Sequence, residues 1–405
     1  MAQVNFTLEY DFLVGLFAES HETAFGKLME QIMNQLIQAE SSEVLGADRH
    51  ERIDSRTDYR NGERYKSLTT RIGNITLTVP RHRNEPFRSC FLEGCKRGEK
   101  ALIAAMIEMV VQGVSTRKIE KITEELCGQS FSKSTVSEIC KQLDPIVKEF
   151  KNRPLEKTYP FVLLDATYIK VREDNKIKNK AFFVAMGINL DGYKEIIGFE
   201  IYDSEKETSW DEFLRGLKRR GLNQPDLFTS DNHSGLKAAL VAVYPNVSWQ
   251  RCQVHLRRNI LDQAPKRYQP ALNDELTELF NSESLEAANK KKKEIIEEYG
   301  NVAAKSTEIL DNGFYEAMTV ISLPKKYRII LRTTNILERE NEELKRRINV
   351  LRIFPNCASA VRLLGAVLLD HHEDWLHKSR TLGMKEYKEI REAVTMQLPK
   401  IEMAA

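Results

Sequence analysis

Long apolar runs are missing from this sequence of 405 residues. No stretch approaches the roughly 20 consecutive apolar residues that a membrane-spanning helix needs, so we expect no association with a membrane. The opening residues MAQVNFTLEYDFLVGLF carry acids among their apolar residues and lack both a basic leader and a small-residue cleavage site. This composition argues against a signal peptide.

Cysteine is also sparse. The six cysteines lie scattered through the chain without a regular spacing, which argues against a disulfide-stabilised secreted domain. We therefore expect reduced thiols in a cytoplasmic protein. The length of the chain suggests two or three domains.

A strong excess of either charge is absent as well, because 61 basic and 59 acidic residues leave a net charge of +2. Two stretches are nevertheless locally basic. Residues 48–83 contain nine Lys or Arg against five Asp or Glu, and residues 325–352 contain nine against four. Such stretches are typical of surfaces that bind a polyanion, but also of ordinary solvated faces.

Two kinds of element are indicated before residue 100. Residues 1–47 have the apolar spacing of amphipathic helices, whereas residues 48–99 indicate a small basic β element. In that element Arg60-Asn61-Gly62 predicts a turn, and Ile-Thr-Leu-Thr-Val at 75–79 predicts a half-buried strand that ends at Pro80. Its basic side chains could lie along a phosphate backbone or could form only a solubilising face. They are Arg60, Arg64, Lys66, Arg71, Arg81 and Arg83.

Residues 100–152 predict three short helices. KALIAAMIEMVVQ ends at Gly113, Ser115 precedes TRKIEKITEELC, and Ser132 or Ser134 precedes KSTVSEICKQL, with serine a favoured residue at helix starts. Three such helices are typical of a helix-turn-helix DNA-binding domain, although three-helix units without DNA are common. The side chains that could contact DNA are Arg117, Lys133, Ser134, Ser137 and Lys141.

The region 153–259 has the pattern of an α/β core. FVLLDATYIKV, KAFFVAMGINL and YKEIIGFEIYD predict three strands, with the turn signal Asp191-Gly192 between the last two. The helix SWDEFLRGLKRRG, the strand DLFTSD, the helix GLKAALVAVY and the strand VSWQRC follow. This order is that of a ribonuclease-H-like fold, so we expect an α/β protein with a mixed sheet.

The remaining segments are predicted to be helical. Residues 260–325 show no strand pattern and indicate an all-helical insertion. Residues 326–376 return to the core with the charged helix NILERENEELKRRINV, and the tail 377–405 is predicted to be a peripheral helix.

Asp165 and Asp231 are the two most informative carboxylates. Asp165 lies within an apolar strand, where an ionised carboxylate costs several kcal/mol unless a metal, a basic partner or a raised pKa compensates. Asp231 ends the fourth predicted strand, so the two carboxylates could share divalent cations. The alternatives are a structural Asp165 paired with a buried arginine, and an Asp231 that caps the next helix.

Glu338 is one of several acids at the start of the charged helix. The spacing from Asn335 to Glu338 is that of a capping box, so Glu338 could simply close the helix start. Glu342, four residues later, lies near the same face, and spacing favours Glu338 only slightly.

Cys252-Gln-Val-His255 is a second group of residues with ligand chemistry. The pair could contribute to a zinc site, but a structural zinc site has four ligands and no second pair stands at a matching distance. A role in packing or hydrogen bonding is the favoured interpretation.

Nine segments in one order resemble the Mutator-type bacterial insertion-sequence transposases. They are YRNG at 59–62, TRIGNITLTVPRHR at 70–83, GVSTRKIEKITEELCG at 113–128, FSKSTVSEI at 131–139, LLDATYIKV at 163–171, SDNHSGLKAAL at 230–240, WQRCQVHLRRN at 249–259, TTNILE at 333–338 and FPN at 354–356.

The resemblance implies a site of three carboxylates, Asp165, Asp231 and Glu338, on a ribonuclease-H-like core. It favours Glu338 over Glu342, because Glu338 occupies the family's motif TTNILE. It also implies that the three acids hold Mg²⁺, with Mn²⁺ as an alternative. Cys252 and His255 would lie close to this site in a structural role.

The resemblance further implies a DNA transposase that cleaves and transfers strands in a metal-dependent reaction. Residues 48–145 would bind the terminal inverted repeats of an insertion sequence, and pairing two ends with target DNA would require a homodimer or a larger homo-oligomer. Lys345 would contact phosphate, or else form a salt bridge with Glu338 or Glu342. The alternatives are a metal-dependent nuclease on the same core and a catalytically silent DNA-binding regulator derived from a transposase.

Overall fold

The computed structural model describes residues 8–17, 21–51, 53, 56–70, 73–127 and 131–401. The chain divides into two compact units, one formed by residues 1–110 and 114–139 and the other by residues 111–113 and 140–405. Among the described helices, none combines the length and the apolar character that crossing a bilayer requires.

The first unit combines helices with a two-stranded sheet. Its elements in chain order are α1 (Tyr10–Phe17), α2 (His21–Leu45), β1 (Arg60–Thr70), β2 (Gly73–His82), α3 (Cys90–Val111), α4 (Thr116–Cys127) and α5 (Lys133–Cys140). Helix α2 packs on β2 and buries Ile37 against Ile75, Leu77 and Val79. The alternation of these three residues with Thr76 and Thr78 therefore places one face of β2 in a small core, as the pattern predicts.

The hairpin of β1 and β2 corrects two expectations. Arg60-Asn61-Gly62 is not a turn but the start of β1, where the register shifts by one residue between Arg60 and Glu63. Gly62 has φ +80°, a left-handed conformation that suits glycine in such a bulge. Strand β2 also continues past Pro80 to His82, because Pro80 lies opposite the bulge in a two-stranded sheet, where a missing N–H is tolerated.

Three helices follow the hairpin, as predicted, but the first begins ten residues before the expected start at Lys100. Gly94 and Gly98 weaken the helical pattern in that stretch. The backbone N–H of Lys118 donates to Ser115 Oγ at 3.3 Å, and that of Thr135 donates to Ser132 Oγ at 3.2 Å. Serine hydroxyls therefore accept hydrogen bonds at the starts of α4 and α5. The arrangement of α3, α4 and α5 as a helix-turn-helix stays a prediction.

The second unit contains the larger sheet and most of the helices. Its elements in chain order are α6 (Asp144–Asn152), β3 (Phe161–Glu173), β4 (Lys176–Ile188), β5 (Lys194–Tyr202), α7 (Glu207–Arg219), β6 (Leu227–Ser230), α8 (Ser234–Val243), β7 (Ser248–Arg251), α9 (Gln253–Gln263), α10 (Gln269–Phe280), α11 (Leu285–Tyr299), α12 (Ala304–Ala317), α13 (Lys325–Leu331), α14 (Asn335–Leu351), α15 (Cys357–His377) and α16 (Lys385–Gln397).

The five strands of this unit lie in the order β5-β4-β3-β6-β7. Strands β3, β4 and β5 pair antiparallel, whereas β6 and β7 run parallel to β3. Gly192, at φ +87°, occupies the tight connection from β4 to β5, which confirms the turn signal Asp191-Gly192. The predicted mixed sheet and its five strands are therefore present.

Helices cover both faces of this sheet. On one face Phe183 stacks on Trp210 of α7 with ring centroids 3.7 Å apart. On the other face Phe199 packs against Phe150 of α6 and lies close to Gly365 of α15. Because both faces are buried there, consecutive positions are apolar in residues 161–164 of β3 and 181–188 of β4, rather than alternate ones.

The segment 260–325 is helical, and its helices share a core with α9. The C-terminal tail differs from the prediction of a peripheral helix. Tyr387 of α16 is fully buried, with its ring centroid 4.7 Å from that of Phe161. Its hydroxyl donates to Asp226 at 2.9 Å, so the tail packs into the second unit.

Candidate active site

Asp165 on β3 and Asp231, directly after β6, lie at the same level of the sheet. The last paired residues of β3 and β6 are Leu163 and Thr229. Asp165 lies two residues after Leu163, and Asp231 lies two residues after Thr229. Helix α8 begins later, with His233 at its N-cap. Asp231 therefore does not cap this helix, which was the alternative role considered for it.

The side chain of Asp165 has two described hydrogen-bond partners. One carboxylate oxygen accepts from the backbone N–H of Ala166 at 2.9 Å, and the other accepts from Asn341 Nδ2 at 2.6 Å. Neither partner is an arginine, so these bonds do not support the alternative in which Asp165 pairs with a buried arginine. Burial and the neighbouring Asp231 raise the pKa of Asp165 to about 6, against the opposing effect of these hydrogen bonds.

Glu338 lies in the first turn of α14, where it faces His255. Its Oε1 is 3.3 Å from His255 Nε2 and accepts from Thr334 Oγ1, also at 3.3 Å. The helix begins at Asn335 with Thr334 as its N-cap, so the capping box from Asn335 to Glu338 is not formed. Glu342 is exposed on the same helix.

Cys252 and His255 connect the end of the sheet to Glu338. Cys252 follows β7, and its backbone N–H donates to Ser230 O at 2.7 Å. One ligand atom from each of Cys252, His255 and Glu338 lies within 4.8 Å of the others. The residue spacing grouped only the cysteine with the histidine, whereas the family resemblance implied that this pair lies close to the site that includes Glu338.

His255 lies among groups that favour its protonated form. A hydrogen bond with Cys252, followed by the charges of Cys252, Glu338 and Asp231, raises the pKa of His255 to about 9 in spite of burial. A protonated His255 would thus partly neutralise the acids from β6 and α14. Asp165 is close enough for the same histidine to stabilise its ionised form.

Two further residues of the cluster were missed by the sequence patterns. Asn341 lies one turn beyond Glu338 and orients Asp165; its position at i+3 on the same helix was a usable signal. Glu205 lies close to Asp231, and its Oε2 is 3.9 Å from His233 Nε2. Burial raises the pKa of Glu205, as does the charge of Asp231. No motif marked Glu205.

The predicted DNA contacts are distributed over both units. Arg71 lies outside the described residues. Arg60 is partly buried and donates to Ser42 Oγ at 2.7 Å and to Ala47 O at 3.3 Å, so its guanidinium is engaged within the first unit. The exposed candidates are Arg64, Arg81, Arg83, Arg117, Lys133, Ser134, Ser137, Lys141 and Lys345, whereas Lys66 is half-buried. Within the described residues, Lys345 forms no salt bridge with Glu338 or Glu342, which was the alternative to a phosphate contact.

Sequence comparison identifies the class of protein. The profile of the family described as "Transposase, Mutator family" matches residues 12–378. This chain belongs to the Mutator family of transposases, which confirms the resemblance found in its motifs.

Several relatives resemble the chain over nearly its whole length. The transposase for insertion sequence element IS256 in transposon Tn4001 of Staphylococcus aureus is 42% identical over 384 residues, covering 94% of this chain and 98% of the relative. The transposase for element ISRM5 of Rhizobium meliloti is 38% identical over 93% of this chain and 95% of its own length. The transposase for element IS1081 of Mycobacterium tuberculosis is 34% identical, with 91% and 89% covered.

Proposed function

We propose that this chain is a DNA transposase that cleaves and joins strands with Asp165, Asp231 and Glu338. The observation that carries the proposal is the convergence of these acids from β3, from the end of β6 and from α14 around His255. The family and the names of the relatives give the reaction class. The antiparallel β5-β4-β3 order followed by parallel β6 and β7 supports a ribonuclease-H-like core.

The oxygen atoms of this site suit Mg²⁺. Carboxylates are the ligands that Mg²⁺ prefers in phosphoryl-transfer sites, and Asp165, Asp231 and Glu338 would hold it. Asn341 Oδ1 is a buried oxygen without a hydrogen-bond partner among the described residues, directly beside Asp165. Bound Mg²⁺ would supply Lewis-acid activation of a phosphodiester and neutralise its charge. Mn²⁺ fits the same oxygen ligands.

The chain's own side chains have defined tasks in this proposal. Asn341 orients Asp165 by donating to one of its carboxylate oxygens. His255 holds Glu338 through its Nε2. Mg²⁺ binds the ionised carboxylates, so the raised pKa of Asp165 means that protonation of this side chain competes with metal binding as the pH falls toward 6.

DNA would be the partner of both units. Exposed basic residues on the hairpin and on α4 and α5 would bind the terminal inverted repeats, and Lys345 on α14 would contact phosphate. Assembly of two element ends in one complex implies a homodimer or a larger homo-oligomer.

The decisive experiment measures cleavage and strand transfer on labelled DNA that carries the element's end, with Mg²⁺. We compare the unaltered chain with Asp165→Asn and with the matched control Glu342→Gln, which removes an exposed acid from the same helix as Glu338. Loss of one transition-state contact costs about 100-fold or more. We expect that loss for Asp165→Asn, with DNA binding retained, and near-normal rates for Glu342→Gln.

Other outcomes select the alternatives. Equal activity of the unaltered chain and Asp165→Asn would refute the site. Cleavage without any joining would favour a nuclease, and binding without cleavage by the unaltered chain would favour a DNA-binding regulator.

A further inference from the structure

Cys252 and His255 lie on one face of the start of α9. Cys252 is the N-cap of this helix and His255 is in its first turn, three residues later, a spacing that places both side chains on the same side. The bond from Cys252 N–H to Ser230 O fixes this corner to the end of β6. The positions of the sulfur and of the imidazole are therefore set by the sheet.

The segment that carries Glu338 is hydrogen-bonded to this same corner. The backbone N–H of Gln253 donates to Arg332 O at 3.0 Å. The backbone N–H and the hydroxyl of Thr334 both donate to Cys252 Sγ, at 3.4 Å and 3.3 Å. Two donors directed at one buried sulfur favour the thiolate, which is the metal-binding form of cysteine.

We propose that Cys252, His255 and Glu338 form a binding site for Zn²⁺ that shares Glu338 with the carboxylate site. Their sulfur, nitrogen and oxygen atoms form a ligand set typical of zinc, which binds three protein ligands and leaves a fourth position open at reactive sites. Bonds of about 2.0–2.3 Å place neighbouring ligand atoms of tetrahedral zinc about 3.5 Å apart. The separations here, 3.3 Å between histidine and glutamate and at most 4.8 Å overall, need only a small contraction.

This site differs in chemistry from the oxygen site next to it. Asp165 and Asp231 offer hard oxygens that suit Mg²⁺, whereas a thiolate and an imidazole select a softer ion. The inference rests on the proposed function only where it assigns Glu338 to both sites. Zinc bound at Cys252 and His255 would withdraw Glu338 from the magnesium site.

Cobalt substitution tests the proposal without any measurement of activity. The full chain is titrated with Co²⁺, a spectroscopic substitute for zinc, in the absence of DNA and Mg²⁺. We expect one equivalent to bind with a sulfur-to-cobalt charge-transfer band, and we expect Zn²⁺ to displace it. The band should vanish in Cys252→Ser and persist in Cys357→Ser, a matched change at another described cysteine of this unit. Glu338→Gln should weaken Co²⁺ binding by about 10-fold or more.

Either of two results of the cobalt titration would overturn the inference. One is the absence of a charge-transfer band in the unaltered chain, and the other is a band unchanged by Cys252→Ser. X-ray absorption of the zinc-loaded, unaltered chain must also show one sulfur ligand, and this measurement stands even if the serine variant fails to fold. None of these readouts depends on DNA cleavage, so failure here is distinct from failure of the transposase proposal.

Discussion

The side chain of Asp165 is subject to two opposing effects. Its hydrogen bonds with Ala166 and Asn341 stabilise the carboxylate, while burial and the charge of Asp231 destabilise it. The second pair of effects is larger, because the pKa rises from an ordinary 3.8 to about 6. The folded protein without metal therefore carries this charge at a cost in stability.

Asp165→Asn should stabilise the metal-free protein at neutral pH. A carboxyl pKa raised on folding means that the folded state binds more protons than the unfolded state between about pH 4 and 6. The destabilisation of the folded state by the ionised carboxylate is therefore complete above pH 6, decreases as the pH falls and is absent below pH 4. A shift of this size corresponds to at most about 3 kcal/mol. Denaturant unfolding with a chelator, at a series of pH values, measures it.

The matched comparison is Asn341→Ala, which removes a donor to the same carboxylate and should lower stability at neutral pH. In Asp165→Asn, by contrast, rotation of the Asn341 amide would let its free Oδ1 accept from the new side chain. A pH-independent effect of Asp165→Asn would contradict this account of its charge.

Sequence patterns singled out Asp165 and Asp231 as candidates, and the family resemblance singled out Glu338, but neither indicated the contacts that orient these acids. Asp165 is conspicuous because an acid interrupts an apolar strand, and that signal is local. The hydrogen bond between Asp165 and Asn341 joins positions 176 residues apart. The local pattern of neither segment can predict a contact with the other. The placement of Glu338 beside Cys252 and His255 likewise depends on how α14 packs against α9.

At the scale of elements, the packing of α15 on the sheet depends on a close approach at Gly365. A β-carbon there would lie 2.5 Å from Val147 Cγ1 of α6 and 3.0 Å from the Phe199 ring of β5. Both neighbours are buried, and valine has little rotational freedom. The glycine therefore allows one helix to pack against another helix and a strand at once.

Gly365→Ala should lower the free energy of unfolding by about 1–3 kcal/mol, because the clash outweighs the gain of about 1 kcal/mol in helix propensity. The control is Gly216→Ala in α7, where nothing lies within 4 Å of the added carbon. That change should stabilise the protein by about 0.5–1 kcal/mol. Urea unfolding of both variants measures the difference, and stabilisation by both would show that α15 can move away.

The elements that sequence patterns predicted best are those with a strong local signal. The apolar runs of β3 and β4 indicate strands buried on both faces, and both strands are present. The start of β1 was misassigned because Asn61-Gly62 is also the strongest signal for a turn. Only pairing with β2 across the register shift makes it a bulge, and pairing is not a property of the segment alone.

At the scale of the whole molecule, the proposal assigns binding of the element's ends to the first unit and the chemistry to the second. The exposed Arg64 and Arg81 belong to the first unit, whereas the three acids belong to the second. Phosphate contacts contribute to affinity through the release of counterions, so each contact adds about 0.9 to the slope of log affinity against log salt. Chemistry and binding should therefore be separable by substitution in the full chain.

Replacing Arg64 and Arg81 together by serine should weaken binding to the element's end and reduce the salt slope by about 1.8. The control replaces Lys290 and Lys293, two exposed lysines on α11 of the second unit, and removes the same charge. If only the net charge of the protein mattered, both double variants would lose affinity equally. If the hairpin binds DNA, only the first will change the slope, while Asp165→Asn will bind with the slope of the unaltered chain. An unchanged slope after loss of both arginines would remove the hairpin from the DNA-binding surface and leave α4 and α5 as its remaining candidates in the first unit.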